Sequence, residues 1–184
     1  VVISNDELGG SDIHAKQSGV AHIVVADRES AIAEVEHVLS FLPNNVNEIT
    51  AAASTADTID RFTPEAGELI PDSATGAYDV KAVIRSIADD GYMLELRERW
   101  AGNIVTGFIT IGSQSVGVVA NQPMNLAGTL DIPASQKAAR FVSFCDAFNI
   151  PILTLVDTPG FYPGKDLEWR GMIRHGAQLV FAYG

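Results

Sequence analysis

The chain has 184 residues, enough for one domain with a real core or for parts of two. Hydrophobic residues make up 47%, which fits a folded globular protein, and no apolar run approaches the roughly 20 residues that span a bilayer. The formal net charge is −11, so the global field repels nucleic acid and anionic membrane, and any phosphate-bearing ligand must be held by local dipoles and a few placed cations.

Val1 to Gly10 lacks a basic n-region and carries Asp6 and Glu7, so it does not read as a signal peptide. The single cysteine, Cys145, cannot form an internal disulfide, and a reducing, cytoplasmic compartment is the expectation. Val1-Val2-Ile3 reads as a strand entered midway, and Ser4 to His22, polar and Gly-rich, as a loop. Ser30 to Leu42 is predicted helical, with Ile32, Val35, Leu39 and Leu42 forming one apolar stripe. Pro43-Asn44-Asn45 ends it. Residues 46–70 show little periodicity and read as a linker between two domains or as a surface loop within one.

Asp79 to Ala88 is predicted as a short helix with Val80, Val83, Ile84 and Ile87 on one face. Ile104 to Ile111 and Ser115 to Ala120 read as strands joined through Gly112-Ser113, a hairpin of undetermined turn type. Pro133 to Phe148 is the clearest helix: Ala134, Ala138, Phe141, Cys145 and Phe148 share a stripe, Asp131 can cap it, and Pro133 fits its first turn. Pro151 to Val156 is apolar throughout, which predicts a parallel strand covered on both faces. A second helix from about Asp166 completes a βαβα unit, and it runs to Gly184 inside an apolar pattern. That end reads as a truncation or as a natural C-terminal helix.

Two glycine-containing loops follow strand ends, where open α/β sheets bind ligands. In Ala127-Gly128-Thr129-Leu130-Asp131 a glycine precedes a helix, so backbone N–H groups and the helix start can hold a developing oxyanion, or simply cap the helix. Asp157 to Gly164 carries Pro159, Gly160, Pro163 and Gly164; it is stiff and bent, suited either to a ligand or to a structural turn. A third, Gly9-Gly10-Ser11-Asp12-Ile13-His14, lies near the N-terminus. Neither a G-x-S-x-G elbow nor a G-K-[ST] phosphate loop occurs. Cys145 sits on an apolar stripe and reads as core. His14 and His22 do not form a recognisable metal pattern, and no metal is expected. Arg174-His175 reads as a solvated helix face or a functional pair, and Trp100 and Trp169 as packing residues.

These segments carry a resemblance. Glu7-Leu-Gly-Gly-Ser-Asp-Ile-His14 with Ser18-Gly-Val-Ala-His22 is similar to the close of the N-terminal half of acyl-CoA carboxylase β subunits, the carboxyltransferase subunits of the propionyl-CoA carboxylase type. Phe41 to Asn45 resembles the usual end of that half, and Ile70-Pro-Asp-Ser73 with Ala77-Tyr-Asp79 the opening of the second. The run from Gly117 through Pro123, Ala127-Gly128, Leu130-Asp-Ile132, Lys137 to Phe141, Phe144 to Pro151, Pro159-Gly-Phe161 and Ile173 to Ala177 is closest of all.

The resemblance implies an α/β fold, a partial crotonase-like ββα superhelix with duplicated halves in the intact subunit. Residues 1–45 would end the N-terminal half, 46–70 link, and 71–184 open the C-terminal half. It implies carboxyl transfer from N1′ of carboxybiotin, on a carrier domain, to the α-carbon of an acyl-CoA such as propionyl-CoA. It implies a biotin carboxylase and biotin carrier partner and a homo-oligomer, a hexamer in the intact subunit. The crotonase Ala-Gly donor maps onto Ala127-Gly128-Thr129, giving Gly128 and Thr129 as catalytic oxyanion donors and Ala127, Leu130, Pro159, Gly160 and Phe161 as cofactor-binding residues. The remaining glycine-rich donors would precede Val1 and follow Gly184, so the chain alone is expected to be inactive. Leu167, Arg170, Gln178 and the segment 46–62 depart from the family pattern and leave substrate choice open. A decarboxylase or transcarboxylase subunit, or a non-catalytic docking fragment, are the alternatives.

Overall fold

The computed structural model describes residues 2–73 and 76–184. Its centre is a β-hairpin, reached through α1 (Asn5–Gly9), α2 (Ser11–Lys16), α3 (Arg28–Ser40), α4 (Glu65–Glu68), α5 (Val80–Ile87) and β1 (Leu94–Leu96). β2 (Ile104–Ile111) and β3 (Gln114–Asn121) pair antiparallel in register, from Ile104 opposite Asn121 to Ile111 opposite Gln114. Their turn has Gly112 at φ 56° and Ser113 at φ 69°, the left-handed pair of a type I′ hairpin. The buried Asp89 carboxylate fastens it, accepting the N–H groups of Gly112 at 3.0 Å and Ser113 at 2.8 Å.

α6 (Ile132–Ala147) follows, then β4 (Ile152–Leu155), α7 (Lys165–Trp169) and α8 (Met172–Tyr183). β4 lies parallel to β3, as α6 is long enough to carry the chain back across the sheet, and the strand order is β1-β2-β3-β4. Alternation along β2 and β3 sorts the core into two layers. Ile104, Phe108 and Val119 pack with Ala138, Phe141 and Cys145 of α6, while Val105, Ile109, Val118 and Ala120 pack with Val80 and Ile84 of α5. α6 comes close because Gly117 has no side chain; a Cβ there would lie 2.6 Å from Cys145 Sγ. Asp131 caps α6 through the Ala134 N–H at 2.9 Å.

Several expectations hold: both hairpin strands, the α5 face, the α6 stripe and cap, and the parallel pairing of β4. Others are corrected. Val1 lies outside the described residues, and Val2-Ile3 forms no strand. Ser4 to His22 is not loop throughout, because Ser4 and Glu7 form a reciprocal capping box that starts α1. α3 forms, but its stripe turns outward, with Ile32, Val35 and Leu39 exposed at 52, 58 and 57%. Its inner side is Ala31, Glu34 and Val38, leading to buried Phe41. β1 was not expected. β4 is the outer strand among the described residues, so it is half-buried rather than covered on both faces, with Thr154 exposed. The last helix is broken by Gly171 at φ 85° into α7 and α8. The segment 46–70 is tied to the body at points, with Arg61 donating to the carbonyls of Ser86 and Ala88 and the Ala53 N–H to that of Ser113.

Candidate functional site

The chain leaves β3 at Asn121 and reaches α6 through a tight turn, Leu126 to Gly128. Three consecutive residues of this turn are left-handed: Leu126 at φ 50°, Ala127 at φ 52° and Gly128 at φ 70°. For the two non-glycine residues this costs on the order of 1 kcal/mol each, so the surroundings must impose it. Gly128 must be glycine for a second reason, since a Cβ would collide with the Asp157 carbonyl oxygen and crowd Asn121 Cβ at 3.2 Å.

Two buried amides impose the shape. Asn121 Nδ2 donates to the Gly128 carbonyl at 2.9 Å, and its Oδ1 accepts the Asp157 N–H at 3.3 Å. Asn103 Nδ2 donates to the Thr129 carbonyl at 2.7 Å and to Asp131 Oδ1 at 3.2 Å. The two loops singled out in the sequence then zip together, the Leu130 N–H donating to the Gly160 carbonyl at 3.0 Å and the Tyr162 N–H to that of Leu130 at 2.9 Å. Thr158 Oγ1 accepts the Gly160 N–H at 3.1 Å. Phe161 lays its ring on Gly176 of α8, where a Cβ would sit 2.6 Å from the ring. Ala127, Gly128, Thr129, Leu130, Gly160 and Phe161 are thus brought together, with Pro159 exposed beside them.

The disposition of the backbone donors is the deciding detail. The Gly128 N–H donates to the Asn125 carbonyl and the Thr129 N–H to the Leu126 carbonyl, each at 3.0 Å, and Gly128 and Thr129 are buried. Both groups are therefore committed to holding the turn. Leu126 and Ala127 are exposed, and among the described residues their N–H groups have no acceptor. Adjacent unengaged N–H groups in a left-handed turn form a concavity for an oxygen that carries negative charge. Met124 and Leu126 of the same loop, and Phe161 of the second, are exposed apolar side chains. Tyr78 interacts with the Asp157 carboxylate, its phenol pushed up by burial and then by that carboxylate.

Asn103, Leu126 and the free donors escaped the sequence reading. Free and engaged N–H groups of one short turn carry the same residue letters, so only coordinates separate them. Cys145 is fully buried and its thiol is pushed up to about 12 by burial, which excludes it as a nucleophile. His14 contacts Ser18 Oγ at 2.9 Å, and His175 contacts Gln136 and Gln178 at 3.3 Å each. Trp100 packs over Gly19, and Trp169 is exposed under Lys165.

Residues 1–184 match the carboxyl transferase domain, and the chain belongs to that family. It is 48% identical over 182 residues to the propionyl-CoA carboxylase beta chain of Roseobacter denitrificans, which covers 99% of this chain and 36% of that one. It is 44% identical over 181 residues to the methylmalonyl-CoA decarboxylase subunit alpha of Veillonella parvula, covering 98% and 36%. Among solved structures, a transcarboxylase 12S hexamer with methylmalonyl-CoA and methylmalonic acid bound matches with a TM-score of 0.95 at 44% identity, over 100% of this chain and 36% of that one. A single-chain, multi-domain long-chain acyl-CoA carboxylase matches with a TM-score of 0.82 at 28% identity, over 98% and 18%. The fold is that of the crotonase-like carboxyltransferases. No helix among the described residues is long and apolar enough to cross a membrane.

Proposed function

We propose that this chain supplies the biotin-facing wall of a carboxyltransferase that moves a carboxyl group from biotin to the α-carbon of an acyl-CoA such as propionyl-CoA. The observation that carries the proposal is the pair of unengaged N–H groups at Leu126 and Ala127 in a turn that the rest of the site holds rigid. In this reading they donate to the ureido oxygen of biotin, which gains negative charge as the carboxyl group leaves. Carboxybiotin, when bound, supplies the carboxyl group itself. Gly128 and Thr129 serve by closing the turn, Asn103 and Asn121 by anchoring its carbonyls, and Leu130, Gly160 and Phe161 by fixing the second loop; Pro159 stiffens that loop. No side-chain nucleophile is needed, in keeping with the buried Cys145.

A biotin carrier and biotin carboxylase subunit, a homo-hexamer and a cytoplasmic setting belong to the same proposal. So do the domain bounds of residues 1–45, 46–70 and 71–184. The Veillonella relative favours a second reading, in which the same wall serves decarboxylation of a methylmalonyl-CoA-type substrate. Saturation-transfer NMR with free biotin tests the site in either case. Biotin signals should respond with the wild-type chain and lose the response with Gly128→Val, whose side chain forces the turn off Asp157. An equal response from a folded variant, or none from the wild type, refutes the assignment.

A further inference from the structure

We propose that the groove between residues 18–22, the turn after β1, α6 and α8 is a phosphate-binding site, with Arg97, Arg140 and Arg174 as its ligands and His22 beside them. The groove is open to solvent along its length and has a volume of about 930 Å³, and neither Asp nor Glu lines it. That is unexpected in a chain with 23 acidic residues against 12 basic ones. Of the five arginines outside the groove, three have found carboxylates: Arg61 reaches Asp57, Arg99 reaches Asp12, and Arg170 reaches Asp166. The three in the groove have none among the described residues.

Arg97 is held in place for such a role. Its backbone is left-handed at φ 55°, its N–H donates to the His22 carbonyl at 2.9 Å, and its guanidinium lies 5.6 Å over the Trp100 ring. Its Nε is buried and has no protein partner. Burial and then the Arg140 charge make Arg97 less basic; burial and then Arg97 do the same to His22. Arg97 and His22 are thus each opposed by a neighbouring cation, and a bound dianion relieves both. Three guanidiniums lining one groove suit a phosphate, with its several acceptor oxygens, better than a single carboxylate. A further apolar cavity of about 420 Å³ shares His22, Arg97 and Arg140 with the groove, so the phosphate can belong to a larger molecule. None of these residues belongs to the turn around Ala127, and the inference stands apart from the proposed carboxyl transfer.

The test is a titration of the full chain with inorganic pyrophosphate, coenzyme A and acetate, read by calorimetry and by tryptophan fluorescence, since Trp100 lines the groove. Pyrophosphate and coenzyme A should bind saturably and compete, and acetate should bind far more weakly. Arg140→Gln and Arg174→Gln, at exposed positions, should each weaken binding about tenfold at unchanged circular dichroism, with Arg140→Lys recovering part of the loss. Tighter binding of coenzyme A would point to a nucleotide phosphate, and equal binding to a free one. The proposal is overturned if neither phosphate compound saturates, if acetate binds as tightly, or if both glutamine variants bind as the wild type does.

Discussion

Lys137→Met tests how the candidate site is braced. Lys137 is 1% exposed, and its Nζ donates to the carbonyls of Arg97, Trp100 and Ile104 at 2.8 to 3.0 Å and of Ala101 at 3.4 Å. It thereby pins the connection that presents Asn103 to Thr129 and Asp131. Burial brings its pKa from an ordinary 10.5 down to about 8, against the pull of Glu95. The native state therefore binds this proton less tightly than the unfolded chain does. Below pH 8 both states are protonated and the fold carries the whole penalty, about 3 kcal/mol. Between pH 8 and 10.5 the unfolded chain holds more proton, so stability rises with pH, and above 10.5 the penalty is gone.

Methionine keeps the length and removes the charge. At pH 7 it relieves that penalty but orphans the carbonyls at about 1 kcal/mol each, so the net change should stay within about 2 kcal/mol of zero. The pH dependence is decisive. In urea unfolding followed by tryptophan fluorescence, the wild type should gain about 2 kcal/mol on the variant between pH 8 and 10. Parallel stability curves over that range would refute a buried, charged Lys137.

Asp89→Ala removes the acceptor of two hairpin-turn N–H groups and should cost about 3 kcal/mol in the same unfolding assay; a loss below about 1 kcal/mol would show that water replaces the carboxylate. Gly176→Ala places a methyl against the Phe161 ring and should push the second loop away from Leu130. Hydrogen exchange at the Leu130 and Tyr162 amides should then accelerate at least tenfold, and unchanged protection would mean that the ring has room to move.

Much of the fold was legible because periodicity and end signals agreed. The β2–β3 hairpin, the α6 stripe and the Asp131 cap each follow from a run of residues whose local preference and burial point the same way. The misreadings occur where they do not. The Ser4–Glu7 capping box lies within a polar, Gly-rich stretch whose composition reads as loop. The α3 stripe obeys helical spacing, yet spacing cannot say what lies opposite, and Val35 and Leu39 border the apolar cavity instead of filling the core. β1 is too short to show alternation. At the candidate site, the family motif located the turn, while the division into engaged and free N–H groups depends on carbonyls contributed by Asn125 and Leu126.

In the proposed site Leu126 and Ala127, rather than Gly128 and Thr129, present free backbone donors to biotin. A ¹⁵N-resolved titration of the chain with biotin addresses it directly. The Leu126 and Ala127 amide protons should move downfield together and saturate, with Gly128, Thr129 and Leu130 shifting little. Silence at Leu126 and Ala127, or shifts centred on Gly128 and Thr129, would contradict it.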